Sequence, residues 1–239
     1  MRNLSLALFT VLFIAGCGDD EKLGADSFDF NKTSTENQPT KSSEVDEIDL
    51  EDLGTFRKVF SVAKTRDDLE WINSRGEKVA YGKDGQTPYS GWLRELLEPK
   101  GHQFRKLTHY KNGKMDGVSM IRYENGKLRH KSNYSNGKFN GVVSEWFDNG
   151  QKKSESIFKN GKQQGLEITW YMHNGQKWGE GNFSNGQREG IWTSWFDNGQ
   201  KKSEGSFRNG KMNGSWIFYN KNGSLRGNPT FRNREVLKD

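Results

Sequence analysis

From residue 101 onward, the chain consists of short segments in which Trp, Phe, Tyr, Ile and Val are interspersed with Lys, Glu, Ser and Thr. The segments are about 7–9 residues long, and none keeps the 3.6-residue period of an amphipathic helix. Their length and residue types predict β-strands. Asn-Gly pairs separate them. Because both residues tolerate positive φ, each pair predicts a type I′ hairpin turn, and we expect antiparallel strands over residues 104–231.

The Asn-Gly pairs recur with alternating gaps of 13 and 11 residues, so two strands form a repeat of 24 residues. One gap is 14 residues long, which predicts a single-residue insertion near Met172 or His173. Every second pair is followed four residues later by another glycine, which we expect to allow close approach of a neighbouring ring or backbone. The turn glycines of the remaining pairs are Gly126, Gly150, Gly175, Gly199 and Gly223.

These repeats predict an all-β fold, an elongated antiparallel β-meander of hairpin repeats in a single sheet over residues 101–239. Aromatic residues of the same phase are expected about 10 Å apart, because two strand spacings separate them. Residues 56–100 are predicted to form an N-terminal β cap of one or two hairpins, which protects the edge of the sheet, and an aberrant first repeat. The candidate binding residues are Trp146, Trp170, Trp192, Trp195 and Trp216.

The N-terminus has the pattern of a targeting segment. Residues 4–14 are mostly apolar and too few to span a bilayer, which favours a signal peptide over residues 1–16. The sequence Ile14-Ala15-Gly16-Cys17 resembles the bacterial lipobox, and this resemblance implies that Cys17, the only cysteine, is lipidated and anchors the chain to a membrane. An Asp directly after the lipidated cysteine resembles an inner-membrane retention signal. Here it stands one position later, at Asp19, which favours the outer membrane.

Charge is distributed unevenly along the chain. Residues 18–55 contain 12 acidic and 3 basic residues, whereas residues 56–239 contain 19 acidic and 33 basic residues. We expect residues 17–55 to be a disordered acidic tether. The alternative is that Val45, Ile48, Leu50 and Leu53 form a short helical turn or dock onto the body. The basic body points either to an anionic partner or to simple solubility.

No enzymatic or metal-binding pattern stands out in the sequence. The four histidines do not share a repeat position, no cysteine is left for a metal, and no cofactor motif is present. Glu155, Glu180 and Glu204 recur in phase, and we interpret them as partners for cross-strand pairing with lysines rather than as catalytic carboxylates. The lysines concerned are Lys152, Lys153, Lys201 and Lys202. The secretion signal argues against nucleic acid as a partner.

Residues 190–211, Gly-Ile-Trp-Thr-Ser-Trp-Phe-Asp-Asn-Gly-Gln-Lys-Lys-Ser-Glu-Gly-Ser-Phe-Arg-Asn-Gly-Lys, resemble the MORN-repeat variant of bacterial proteins called the YwqK-type antitoxin family. The resemblance extends over roughly residues 65–239 and implies a β-hairpin repeat fold. The sequence favours a membrane-anchored, non-catalytic scaffold that binds a protein or an envelope polymer. A toxin-neutralising protein and an envelope enzyme are the alternatives, and the oligomeric state is left open.

Overall fold

The computed structural model describes residues 48–74, 76–232 and 235–236. Cys17, the predicted signal peptide and most of the predicted tether lie outside them. Within these residues there is one α-helix, α1 (Leu53–Val62), and two short 3-10 helices at Arg66–Asp68 and Pro99–Gly101. The strands are β1 (Glu70–Ser74), β2 (Glu77–Tyr81), β3 (Gly91–Leu97), β4 (Phe104–Lys111), β5 (Lys114–Tyr123), β6 (Leu128–Ser135), β7 (Lys138–Phe139), β8 (Gly141–Trp146), β9 (Lys152–Lys159), β10 (Lys162–Trp170), β11 (Lys177–Ser184), β12 (Gln187–Trp195), β13 (Lys201–Arg208), β14 (Lys211–Tyr219), β15 (Leu225–Gly227), β16 (Thr230–Arg232) and β17 (Glu235–Val236).

Fifteen of these strands form one open antiparallel sheet. Its order follows the chain from β3 through β4, β5, β6 and β8 to β14, and it ends with β16 and β17. The short strands β7 and β15 pair at the side of β6 and β14. The predicted all-β meander is therefore confirmed. Strands β1 and β2 form a separate two-stranded sheet.

Successive turns line up along the two ends of the strands, and we call these two lines of turns the edges of the sheet. The turns at one edge are of the predicted type I′. Five asparagines with φ of 48–51° lead these turns, and each is followed by a glycine of positive φ. Each turn also binds the preceding repeat: the N–H of Gly137 donates to the carbonyl of Met115 (2.7 Å), and that of Gly161 to the carbonyl of Phe139 (2.8 Å). The five asparagines are Asn112, Asn136, Asn160, Asn185 and Asn209.

At the opposite edge the prediction of type I′ turns is wrong. Gly126, Gly150, Gly175, Gly199 and Gly223 do reverse the chain with positive φ, but the asparagine before each keeps negative φ. The N–H of Gly126 donates to the carbonyl of Tyr123 (2.9 Å), which closes a type I turn followed by a left-handed glycine, a three-residue hairpin loop. The predicted insertion lies in this edge. The loop after Tyr171 is one residue longer, and Gly175 donates to the carbonyl of Tyr171 (3.0 Å).

The asparagines of this second edge link successive repeats through their side chains. Asn125 Oδ1 accepts the N–H of Lys127 (3.0 Å), and its Nδ2 donates to the carbonyl of Asp148 (3.1 Å) in the next turn. Asn198 makes the same two bonds, to the N–H of Gln200 (3.1 Å) and the carbonyl of Lys221 (2.8 Å). Asparagine therefore has a different role at each edge: it adopts positive φ at the type I′ turns, and here it supplies side-chain hydrogen bonds.

The second glycine of each repeat has a different role from the expected one. All five have positive φ, between 71° and 112°, and mark places where strand register shifts. A Cβ at Gly190 or Gly214 would meet nothing within 4 Å, so close approach does not explain them. Rings do approach other glycines closely: a Cβ at Gly181 or Gly205 would overlap the indole of Trp192 or Trp216.

The two faces of the sheet are covered differently at its N-terminal end. Helix α1 packs on the face that carries Leu107 and Met120, which we call the helix face. The β1–β2 hairpin packs on the opposite face, which carries Leu93 and Tyr110 and which we call the hairpin face. Directly paired residues share a face, so the strand register extends both names along the whole sheet.

The N-terminal cap is a helix and one hairpin, rather than hairpins alone. Asp52 is the N-cap of α1, and its Oδ1 accepts the N–H of Thr55 (2.7 Å). The helix spans residue 55, where we placed the end of the tether, and Leu50 upstream is buried at 3% exposure. Docking of Leu50 onto the body is thus observed. Phe56, at 1% exposure, is the residue of the helix that enters the core.

Candidate functional site: the helix face of the repeats

Beyond α1, the helix face presents a row of aromatic residues at equivalent repeat positions. Trp146, Trp170 and Trp195 end strands β8, β10 and β12, two strands apart, and all three are half-buried. Because two strand spacings separate neighbouring members, their backbones are expected about 10 Å apart. Three of the five predicted candidates thus belong to one face.

Lysines of the intervening strands lie between these rings. Lys152 Nζ is 6.0 Å from the ring centre of Trp146 and 5.8 Å from that of Trp170. Lys177 Nζ is 5.9 Å from the ring of Trp195. Each distance is within cation–π range, so the row alternates ring and ammonium group across the strands.

The in-phase glutamates neutralise these lysines. Lys152 pairs with Glu155, Lys177 with Glu180 and Lys201 with Glu204, at 2.5, 2.7 and 2.7 Å. Pairing with lysine is thus observed. It occurs within one strand, three residues apart, rather than across strands, and Lys153 and Lys202 belong to other contacts. The hydrogen bond from Lys201 keeps the pKa of Glu204 below its usual range, so this carboxylate stays ionised at neutral pH.

An exposed apolar stripe runs beside the Glu–Lys pairs. Val142 and Ile157 are directly paired and are 44% and 37% exposed, and Ile191 is 65% exposed. Leu166 lies between them on β10 and is half-buried. Large aliphatic side chains this exposed, and aligned across several strands, are typical of an interaction surface.

The other two candidates, Trp192 and Trp216, lie on the hairpin face. Trp192 contacts Phe183 and Phe207 edge-on, with ring centres 5.2 and 5.9 Å apart, and Trp216 contacts Phe207 at 5.1 Å. Trp216 is only 5% exposed. This edge-to-face row is a packing device, and it provides the repeats with a thin core on the hairpin face.

Sequence reasoning missed Trp178, which is 47% exposed. It lines a shallow cavity of about 230 Å³ together with Glu167, Arg188, Trp192 and Met212. Its equivalents in the other repeats are basic residues, so a tryptophan that departs from the repeat was the available signal. They are Arg129, Lys153, Lys202 and Arg226.

A second missed residue is Arg122, which occupies the repeat position of the face tryptophans. It donates to the carbonyls of Leu50 (2.8 Å), Glu51 (2.5 Å) and Gly126 (2.8 Å), and its guanidinium lies 5.0 Å from the ring centre of Phe56. Arg122 is 5% exposed, and burial lowers its pKa. This side chain fastens the segment before α1 to the helix face.

The described residues contain no cluster of three or more His, Cys, Asp or Glu side chains that could hold a metal ion. His109 and His130 make separate contacts, with the carbonyl of Asp116 (2.8 Å) and the hydroxyl of Ser132 (3.0 Å). Across the same part of the chain, no helix is long and apolar enough to cross a membrane.

Comparison with known families identifies the repeat unit. Residues 115–136, 139–160 and 188–209 match the family model of the MORN repeat variant. Three of the repeats are therefore similar to the MORN repeat variant. Each begins just after a type I′ turn and ends at the asparagine of the next, so one match spans a strand, a three-residue loop and the return strand. Between the second and third matches lie β10 and β11, the pair with the longer loop. No curated protein matches the chain.

Proposed function

We propose that this chain is a lipid-anchored, non-catalytic scaffold of the bacterial envelope that binds its partner with the helix face of its repeats. The observation that supports this function is that other parts of the chain cover the helix face at one end of the sheet and leave it exposed further along. Over β3–β6 it is buried under Leu50 and α1, whereas over β8–β12 it presents aligned tryptophans and exposed aliphatic residues such as Ile191.

The chemistry of the face favours binding over catalysis. Its repeated carboxylates are each paired with a lysine, so none of them is poised as a general acid beside a free general base. Repetition of the same side chains over three repeats suits an extended partner rather than a single reacting group.

The anchor part of the proposal is supported by the lipobox-like residues that end at Cys17 and by the acidic segment between it and the body. Two or more acyl chains on one cysteine hold a protein stably on a membrane, whereas one chain does so only marginally. The outer membrane is favoured because Asp19 is not directly adjacent to Cys17.

Crosslinking in the intact envelope, followed by identification of the crosslinked partner, tests the binding function. We expect one dominant partner, crosslinked to residues of β8–β12. Mass analysis of the mature N-terminus tests the anchor, with Cys17→Ser as the control that should move the chain to the soluble fraction. An uncleaved and unmodified N-terminus would contradict the anchor, and crosslinks spread evenly over the body would contradict the binding face.

A further inference from the structure

We infer that the partner bound by the helix face is an amphipathic α-helix of another protein, laid across the strands as α1 is. This inference rests on the proposed binding function and names the chemistry of its partner. It begins from the way in which the chain covers the first part of the same face.

Helix α1 shows the geometry that this face accepts. Its first residue, Leu53, lies against the turn at Gly126, and at its other end Arg94 of β3 donates to the carbonyl of Phe60 (3.3 Å). The helix therefore crosses β5, β4 and β3 rather than running along them. Its apolar residues Phe56, Val59 and Phe60 pack against the cluster of Leu107 and Met120.

The positions on β5 that face α1 recur in three later strands. On β5 they are Val118, Met120 and Arg122, which alternate along the strand and so share the helix face. Their equivalents are Val142, Ser144 and Trp146 on β8, Leu166, Ile168 and Trp170 on β10, and Ile191, Thr193 and Trp195 on β12. The aliphatic position is kept in every strand, and the arginine that clamps the α1 segment is replaced by an aromatic ring.

The spacing of these positions fits a helix. Equivalent residues two strands apart recur about every 9.6 Å, and residues seven apart on one helix face recur about every 10.5 Å. A helix tilted by roughly 25° from the perpendicular to the strands would bring the two periods into register. From β8 to β12 the face extends over four strand spacings, about 19 Å, the length of a helix of about 13 residues.

The charge pattern favours an apolar contact. The Glu–Lys pairs at Glu155, Glu180 and Glu204 leave the centre of the face electrically neutral. The aliphatic stripe that includes Ile191 lies on one side of these pairs, and the tryptophans lie on the other. Two such apolar rows suit the apolar residues at positions i, i+3, i+4 and i+7 of an amphipathic helix bound in a groove.

The probe for this inference is a labelled synthetic amphipathic helix of three heptads, about 21 residues, with leucines on one face. It is titrated by fluorescence anisotropy against the full chain carrying Cys17→Ser, which removes the lipid. Ile191→Asp should weaken binding about tenfold or more, since it places a charge in an apolar contact. Ile72→Asp is the matched control, because Ile72 is also exposed (39%) but lies on β1, whose hairpin packs on the opposite face, and binding should change less than about twofold.

Saturable binding that is lost in Ile191→Asp and kept in Ile72→Asp supports the inference. Val142→Asp gives the same test should Ile191→Asp unfold. Three results overturn it. The first is that the helix does not bind saturably, and the second is that a peptide with the same residues in scrambled order binds equally well. The third is that both variants lose binding to the same extent. If a soluble anionic polysaccharide displaces the helix from the same residues, the natural partner is a polymer. If the chain self-associates and Ile191→Asp abolishes this, the partner is a second copy of the chain. Either result overturns the helix partner, while the envelope crosslinks test the binding function separately.

Discussion

The indole ring of Trp216 lies on Gly205, its cross-strand partner, and leaves no room there for a Cβ atom. The ring nitrogen Nε1 of Trp216 donates to the carbonyl of Ser206 (3.0 Å), which holds the ring flat on the neighbouring strand. Trp192 has the same relationship to Gly181 one repeat earlier. Pairing a glycine with a tryptophan across strands lets a single-layered sheet bury large rings on its own backbone.

Gly205→Ala should therefore destabilise the protein by about 1–3 kcal/mol, because the added methyl group displaces a ring that is almost fully buried. Urea unfolding measures the change. Gly179→Ala is the matched control: a Cβ there would make ordinary contacts, 3.4 Å from the hydroxyl of Thr169 at the closest. Equal losses in the two variants would show that the ring contact is not the cause.

Replacing Arg122 by Met should release the segment before α1. Three carbonyls, those of Leu50, Glu51 and Gly126, would lose a charged donor, and we expect a cost of about 3 kcal/mol. Hydrogen exchange should become faster in α1 and remain slow in β10–β13. Arg208→Met, at the exposed last residue of β13, is the control. Unchanged exchange in α1 would contradict the clamp.

The two edges should respond differently to the same substitution. Asn209→Gly should be neutral to within about 0.5 kcal/mol, since Asn209 has φ of 49° and glycine adopts that conformation without strain. Asn198→Gly should cost about 1–2 kcal/mol, because it removes the side-chain bonds to the N–H of Gln200 and the carbonyl of Lys221. Chemical denaturation of both variants checks the difference. Equal effects would refute the assignment of two turn types.

Acid should weaken the fold through Glu145. The side chain of His130, followed by that of Lys153, lowers the pKa of Glu145 to about 2. Their nitrogens lie 3.9 Å and 2.9 Å from its carboxylate oxygens. Because the pKa in the folded state is below the ordinary value of 4.5, this contribution is complete above pH 4.5 and is lost as pH falls towards 2. Unfolding free energies of Glu145→Gln should depend less on pH in this range than those of the parent.

Alkaline pH should act through Tyr110. Burial, followed by the charge of Glu95, raises the pKa of Tyr110 to about 12. Since the folded pKa lies above the ordinary value of 10.0, stability is complete below pH 10 and is lost as pH rises towards 12. Tyr110→Phe should reduce this alkaline loss. An identical pH dependence in the variant would contradict the role assigned to Tyr110.

The repeat itself could be predicted from the sequence, and the assignment of faces only in part. Asn-Gly spacing located every reversal from β4 to β15, because the glycine of each pair accepts positive φ. Trp192 and Trp195 are three residues apart on one strand, so alternation already places them on opposite faces. Register shifts between strands make this alternation hard to extend over the whole sheet. The spacing of Phe56, Val59 and Phe60 after the N-cap Asp52 was a short helical signal within a polar region.

The most direct test of the open helix face is site-specific photocrosslinking in the intact envelope, with the reactive group at Ile191 and, as the control, at Ile72. Both side chains are exposed, 65% and 39%, and only the first lies on the helix face. We predict a discrete crosslinked partner from Ile191, joined through a helical segment, and none from Ile72. No crosslink from Ile191, or the same products from both positions, would contradict the account.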